Sequence, residues 1–367
     1  MSVEISKDLN WYAKEMPEND IVLSTRARLA RNLSNFPFPP KFFKNDVERV
    51  QKIFEEAFKK IEKSKEYNFL HLGTIDPISL GILAEQGYIK KPFVKSEQLV
   101  LSSSAVFINS TGNIGAEING HNHIHISSFS AGLNISEVYK NCSSLEQSLQ
   151  KVVNFAFLKD FGYLDTQLLN SGTGLKITAR FHIPAIYYSK KFAELDKILK
   201  DYRLKIFPMS GRLISPEKSG EKYFTVSTFN SLQGSEIDQI ANFESACRHI
   251  INLERKSFES LAQNRPTINR HNVIQAYSLA KFSIFMSFPQ ALNLISDIYF
   301  GLRLKILSGM QFSDLNRLIY HIQNAHLEFL LKNEKFDFEK DIVSDHSLVL
   351  DRIRAIVFQE AIQKLVL

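Results

Sequence analysis

Two cysteines in 367 residues, Cys142 and Cys247, cannot build a disulfide framework or a zinc knuckle. They read instead as two buried thiols in a reducing compartment. Glycine is scarce, at 15 residues, which excludes a collagen-like repeat, and there is a single tryptophan. No uninterrupted apolar run reaches the roughly 18 residues that a spanning helix needs. The most apolar stretch, 277–307, is broken by Lys281, Pro289, Asp297 and Arg303. The N-terminal stretch MSVEISKDLNWYAKEMPEND lacks an apolar segment flanked by basic residues, so the expected location is the cytoplasm and no membrane is expected as a partner. The common nucleotide signatures are missing too: no GxxxxGK[ST], no GxGxxG after a strand, and no HRD paired with DFG.

What is present is core material. The chain is 44% hydrophobic and 23% charged, with 29 Phe and 12 Tyr, which excludes a disordered chain. Cores stop growing beyond roughly 250–300 residues, so this length predicts two or three domains. The formal charge of +6 permits an anionic partner without pointing to nucleic acid, and none is expected.

Periodicity predicts a helix over 45–65, capped by Asn45 or Asp46, with Val47, Val50, Phe54, Ala57, Phe58 and Ile61 on one face. A strand follows at YNFLHL, then a helix opened by Asp76-Pro77. Strands are expected across 97–128, with a hairpin at Thr111-Gly112-Asn113. A helix fits 134–160, a strand 174–183, a helix 184–201, and strands 203–207 and 222–228. From 235 onward only helical periods appear. The first two-thirds is therefore α+β with antiparallel strands, and the remainder all-helical. Pro266, in the polar run QNRPTINRHN, sets the expected boundary between 1–262 and 263–367. The helical part is apolar enough to suggest self-association.

Several elements carry chemistry. Asn170-Ser171-Gly172-Thr173-Gly174-Leu175-Lys176 precedes a strand, whereas a P-loop must feed a helix, so it reads first as a turn. Ser24 and Thr25 are followed by Arg26, Arg28, Arg31 and Asn32. On a strand, Arg26 and Arg28 share a face, and two guanidinium groups there form either a solvated edge or a grip on two oxygens of a polyphosphate. His121, His123 and His125 alternate on a predicted strand, which leaves open a metal site, a proton-transfer role for His121, or surface histidines that bind nothing.

Taken in order, STRARLARN followed by NFPFP, then NSGTGLK, FHIPAI, YSLA and DIYFG resemble the ATP:guanido phosphotransferases, most of all the bacterial protein arginine kinase branch. The resemblance runs along essentially the whole chain. It implies a guanidino-kinase-like antiparallel sheet flanked by helices, followed by a helical C-terminal domain that dimerises. It further implies ATP with Mg2+, arginine-bearing protein substrates, and by family an activator protein and a Clp-type protease system. No metal ligand from the protein is implied.

By resemblance, Ser24, Arg26, Arg28, His123, His125, Lys176 and Lys205 fall on nucleotide-binding positions. His125 and Lys176 stand where the family has arginine. The family's NEED segment, which supplies the carboxylate base, reads Asn119-Gly120-His121-Asn122 here, with Gly120 at the base position. Ser210 falls on an acceptor-binding glutamate and Gln167 on a cysteine. Glu117, His121 and Glu217 are the substitutes weighed for the base. Leu350-Asp351-Arg352-Ile353-Arg354-Ala355 resembles the branch's RDxxRA motif, which places Asp351 and Arg354 in a phosphoarginine or subunit contact. Two functions follow: protein arginine phosphorylation, weakened or lost, or a pseudokinase adaptor that binds nucleotide or phosphoarginine without turnover.

Overall fold

The computed structural model describes residues 10–90, 103–210, 215–232 and 234–367. Residues 97–102 of the expected strand region lie outside that set. The eight strands β1 (Val22–Arg31), β2 (Tyr67–His71), β3 (Ala105–Asn109), β4 (Ile114–Ile118), β5 (Ile124–Ala131), β8 (Leu175–His182), β9 (Leu204–Pro208) and β10 (Tyr223–Thr228) form one sheet. Their order is β2-β3-β4-β5-β1-β8-β10-β9, and every pairing is antiparallel. The expected hairpin at Thr111-Gly112-Asn113 joins β3 to β4. The N-terminal strand β1 is thus central, with β5 on one side and β8 on the other.

One face of the sheet is covered by the helices Lys44–Lys60, Ile135–Gln150 and Glu236–Asn264. Phe54, Phe58, Val138, Cys142, Leu149, Phe243, Cys247 and Ile250 pack there on Ala27, Leu29, Ile126, Ile177 and Phe181. Burying each large apolar side chain contributes about 1.5–3 kcal/mol, so this layer is the main source of stability. Both cysteines sit in it as free, buried thiols, and burial pushes the Cys142 thiol up to about 12.

The helix Asn324–Asn333 packs on His346–Ala361 around Leu327 and Ile353, while Pro266–Phe282, Phe288–Arg303, Phe312–His321 and His346–Ala361 build a second core. That core also takes in Leu23, Ala185 and Tyr223 from the sheet region. A third cluster gathers Trp11, Tyr12 and Phe129 around Tyr320, with Tyr12 and Tyr320 stacked at 4.2 Å. The helical part therefore packs directly on the sheet.

Four boundaries differ from the sequence reading. The first helix starts at Lys44 with Phe43 in the capping position, rather than with Asn45 or Asp46 there, and Asp46 in its first turn accepts the Phe43 N–H at 3.1 Å. The helix expected over 134–160 stops at Gln150, and β6 (Phe157–Leu158) and β7 (Gly162–Tyr163) form a small hairpin instead. The helix expected over 184–201 is broken at Lys190, whose φ of 56° no helix accommodates. Pro266 does end a helical pattern, but it opens the next helix at once: Arg265 ends one helix and begins the other, so no linker separates them.

Candidate active site

Of the ten residues of β1, only Arg26 and Arg28 are not buried. Alternation puts Ala27 and Leu29 into the core and these two arginines on the opposite face, as a strand requires. Both line a cleft of about 390 Å³ that crosses β1, β4, β5, β8 and β9. Arg26 donates from Nη2 to Ser127 Oγ at 2.8 Å and lies over the Phe129 ring at 5.0 Å. Burial first, and Arg28 second, lower its proton affinity, yet a guanidinium stays charged at neutral pH.

Lys176 on β8 stands directly opposite Arg28 on β1. Burial, then Arg28, Arg26, Lys205 and Lys90, push the Lys176 ammonium down to about 8. Lys205 on β9 completes this cationic wall, its Nζ 4.0 Å from the centre of the Phe229 ring. The glycine-rich run does serve as a turn feeding β8. Gly174 has φ +62°, and a Cβ there would come within 2.7 Å of the Ala30 carbonyl and 2.6 Å of Arg31 Nη1, so the turn lies flat on the end of β1. Arg31 itself points away from the cleft and donates to Glu146 at 3.0 Å.

The opposite wall is acidic and hydrogen-bonded. Glu117 on β4 pairs in register with His125 on β5, and Glu117 Oε2 is 3.2 Å from His125 Nδ1. The Asn122 amide oxygen accepts from Asn32 Nδ2 at 2.6 Å and from the Thr166 N–H at 3.0 Å. Its nitrogen therefore faces Asp165 Oδ2 at 2.8 Å and His125 Nε2 at 3.1 Å. His125 Nε2 thus accepts, and its Nδ1–H donates to Glu117. Burial, then Arg28, hold the imidazole below its ordinary range, so it is neutral. Burial raises the Glu117 carboxyl, but the His125 hydrogen bond, with the charges of Arg28 and Arg26, outweighs it and keeps the group ionised.

The fold brings Arg26, Arg28, Lys176, Lys205, His121, His125, Glu117 and Gln167 to one cleft. It leaves others outside. Ser24 is buried and does not line the cleft. His123 is fully buried, stacked on Phe42 at 5.0 Å; its Nδ1 accepts the Leu33 N–H at 2.8 Å and its Nε2–H donates to the Pro37 carbonyl at 3.0 Å. Both ring nitrogens are committed to backbone, which corrects its assignment to the nucleotide. The three histidines do not converge, because β4 ends at Ile118 and β5 begins at Ile124, so the strand alternation expected of them is absent. His121 instead receives Lys90 Nζ at 2.9 Å.

Ser210 and Glu217 also fall outside the cleft. The Ser210 N–H donates to Glu221 Oε2 at 3.1 Å, and Glu217 is exposed on the short helix Pro216–Ser219. Arg354 is buried, donating to the carbonyls of Ile322 at 2.9 Å and Met286 at 2.7 Å, to Asn324 Oδ1 at 2.6 Å, and to Asp351. In this state it is a brace between helices, not an open phosphoarginine contact. Sequence reading missed Lys90, Asn122, Asp165 and Phe229, each of which lines the cleft from a connecting segment with no periodicity to mark it.

A family model described as "ATP:guanido phosphotransferase, C-terminal catalytic domain" matches residues 49–257, more than half of the chain. A protein-arginine kinase of Halothermothrix orenii is 28% identical over 339 residues, covering 92% of this chain and 95% of its own. One from Pelotomaculum thermopropionicum is 26% identical over 336 residues, covering 91% and 92%. In fold, the chain is similar to a lombricine kinase, with a TM-score of 0.56 at 17% identity over 68% of this chain and 70% of that one. It is similar as well to the substrate-free duplicated taurocyamine kinase of Schistosoma mansoni, with a TM-score of 0.56 at 20% identity over 73% and 40%. With its antiparallel sheet, its helical layers and its cationic cleft on β1, the chain belongs to the ATP:guanido phosphotransferase family.

Proposed function

We propose that this protein is a protein-arginine kinase: it binds ATP with its phosphates against Arg26, Arg28, Lys176 and Lys205 and transfers the γ-phosphate to arginine side chains of proteins, more slowly than a member with arginine at every one of those positions. One observation carries the reading, the convergence of these four cations on one cleft opposite the ionised Glu117. Phosphoryl transfer asks for positioning and charge neutralisation, and this wall offers both. Lysine holds phosphate as a point charge rather than with a planar fork, hence the slower rate. The residues present fit a triphosphate, because the cations Arg26, Arg28, Lys176 and Lys205 outnumber the cleft's carboxylates, Glu117 and Asp165. Mg2+ would arrive with the nucleotide and be held by its phosphates; among the described residues no group of three or more His, Cys, Asp or Glu side chains is arranged to hold a metal.

Near relatives named protein-arginine kinases support a protein substrate. A homodimer, a cytoplasmic location, an activator protein and a Clp-type protease system belong to the same proposal, and no helix among the described residues is long and apolar enough to cross a membrane. A specific observation favours a second reading, a nucleotide-binding adaptor without turnover: Gly120 has no side chain, and Ser210 lies outside the cleft.

Labelled ATP and an arginine-rich protein acceptor separate the two. The kinase yields an acid-labile P–N product that an Arg26→Ala variant does not form. Calorimetric binding of ATP without any product in the wild type would overturn the kinase in favour of the adaptor, and no binding would overturn both.

A further inference from the structure

The side-chain space at Gly120 is already filled. A Cβ built on Gly120 would lie 2.9 Å from both Cδ and Oε2 of Glu117 and 3.2 Å from its Oε1. These contacts are shorter than carbon and carboxylate atoms tolerate. A side chain at 120 and the Glu117 carboxylate in its present place therefore exclude one another.

The carboxylate is held there by design of the surrounding bonds. His125 donates to Oε2, and the imidazole is fixed in that tautomer by Asn122, whose own amide is fixed by Asn32 and Thr166. The Glu117 side chain is 16% exposed and lines the cleft. Among the described residues it forms no ion pair with Arg26 or Arg28, which act on it only from beyond contact distance. The other carboxylate of the cleft, Asp165, is engaged at both oxygens, accepting the Gln167 N–H at 2.8 Å and the Asn122 amide at 2.8 Å.

A cleft with an anion-binding wall on one side and, on the other, a carboxylate that His125 holds through Oε2 alone is built for two reactants of opposite charge. The polyphosphate satisfies the first. A planar cation with several N–H donors satisfies the second, and a guanidinium is the side-chain group of that description.

We propose that Glu117 is the catalytic carboxylate of this cleft, receiving the acceptor guanidinium and taking its proton, with His125 as its positioning residue and the bare Gly120 as the condition for its placement. This rests on the phosphotransfer reading above. As the acceptor nitrogen forms its bond to the γ-phosphorus, the bond from that phosphorus to the bridging oxygen of the β-phosphate breaks. ADP leaves with the electron pair, and the proton of the attacking nitrogen passes to Glu117. The family resemblance assigned this role to position 120; the geometry moves it three residues back along the chain.

The test uses the full chain, labelled ATP, an arginine-containing peptide, and a non-hydrolysable ATP analogue for binding. Glu117→Gln is expected to lower kcat/KM by about 10²–10⁴, the usual cost of removing a general base. Peptide affinity in the presence of the analogue should fall about tenfold, with affinity for the analogue unchanged or tighter. Wild-type transfer or wild-type peptide affinity in Glu117→Gln overturns the proposal. Moving the carboxylate, with Glu117→Gly and Gly120→Glu combined, should recover at least tenfold over Glu117→Gly alone, and a double variant no better than the single one overturns the shared-space account. If the wild type transfers no phosphate, the phosphotransfer reading fails while the peptide comparison still decides Glu117: weaker binding in Glu117→Gln upholds its contact with the guanidinium, and equal or absent wild-type binding refutes it.

Discussion

Arg28 and Lys176 face each other as a directly opposed pair across the ladder between β1 and β8, two cations that form no ion pair with a carboxylate among the described residues. Like charges in that register destabilise a sheet by about 0.2–1 kcal/mol, and here Arg26 and Lys205 add to the repulsion. Such a wall is relieved by an anion. Inorganic triphosphate or ATP should therefore raise the melting temperature, and the rise should shrink with added salt. Lys176→Ala should melt higher than the wild type without ligand, yet bind ATP about tenfold more weakly, while Lys176→Arg should bind it more tightly. Thermal melts with and without nucleotide, joined to calorimetry, check this; a Lys176→Ala protein that binds ATP as well as the wild type would remove Lys176 from the site.

The depressed Lys176 ammonium gives the pH dependence a definite sign. In the unfolded chain this lysine titrates near 10.5, and folding pushes it down to about 8. The folded state therefore binds fewer protons between those values, and its stability falls as pH drops from about 10.5 to about 8, then levels off. Polyphosphate restores the proton. ATP binding at pH 9 should take up a proton, visible as a dependence of the binding enthalpy on the ionisation enthalpy of the buffer, and affinity should decline as pH rises above 8. Lys176→Arg should abolish the uptake.

Half of this site was readable from residue spacing. Arg26 and Arg28 alternate with Ala27 and Leu29, and a two-residue period fixes a shared face whatever else the fold does. Lys176 and Lys205 follow from the same rule once their strands are recognised. Glu117 is the last residue but one of β4, which ends at Ile118, so strand alternation does not extend from it to His121. What brings Glu117 to His125 is the cross-strand register of β4 and β5, a non-local relation that no single-strand pattern encodes. Asp165 and Asn122 enter through loops, and the helix expected over 134–160 hid the hairpin that precedes Asp165. The helical remainder was legible as helices from its periodicity, but its packing on Leu23 and Tyr223 was not.

His123 separates a structural histidine from a ligand-binding one. Both its ring nitrogens bond backbone groups, and burial holds its imidazole down to about 4. His123→Ala leaves the buried Leu33 N–H without its partner, a loss of about 1–3 kcal/mol, while ATP affinity stays at the wild-type value. The sign with pH is equally fixed. A group titrating at about 4 when folded and near 6.5 when unfolded lends full stability above 6.5 and loses it as pH falls through 4. Denaturant curves from pH 7 to pH 4 should therefore converge for the wild type and His123→Ala at the acid end. A variant of normal stability with weakened ATP binding would return His123 to the nucleotide site.

Arg354 makes the same distinction in the helical part. Its guanidinium is buried and spends its donors on the carbonyls of Met286 and Ile322, on Asn324 and on Asp351. These partners lie on segments 32 and 68 residues away in sequence, so the one side chain ties three helical segments together. Removing it strands two buried carbonyls and a carboxylate. Arg354→Ala should cost about 3–5 kcal/mol in chemical denaturation, the penalty of breaking a buried, charge-assisted network, and Arg354→Lys should recover only part of it because an ammonium cannot span the same fork. Phosphoarginine added to the wild type should not raise the melting temperature through this residue, since its donors are already committed. An Arg354→Ala protein of wild-type stability that loses phosphoarginine binding would reverse the assignment from brace to ligand contact.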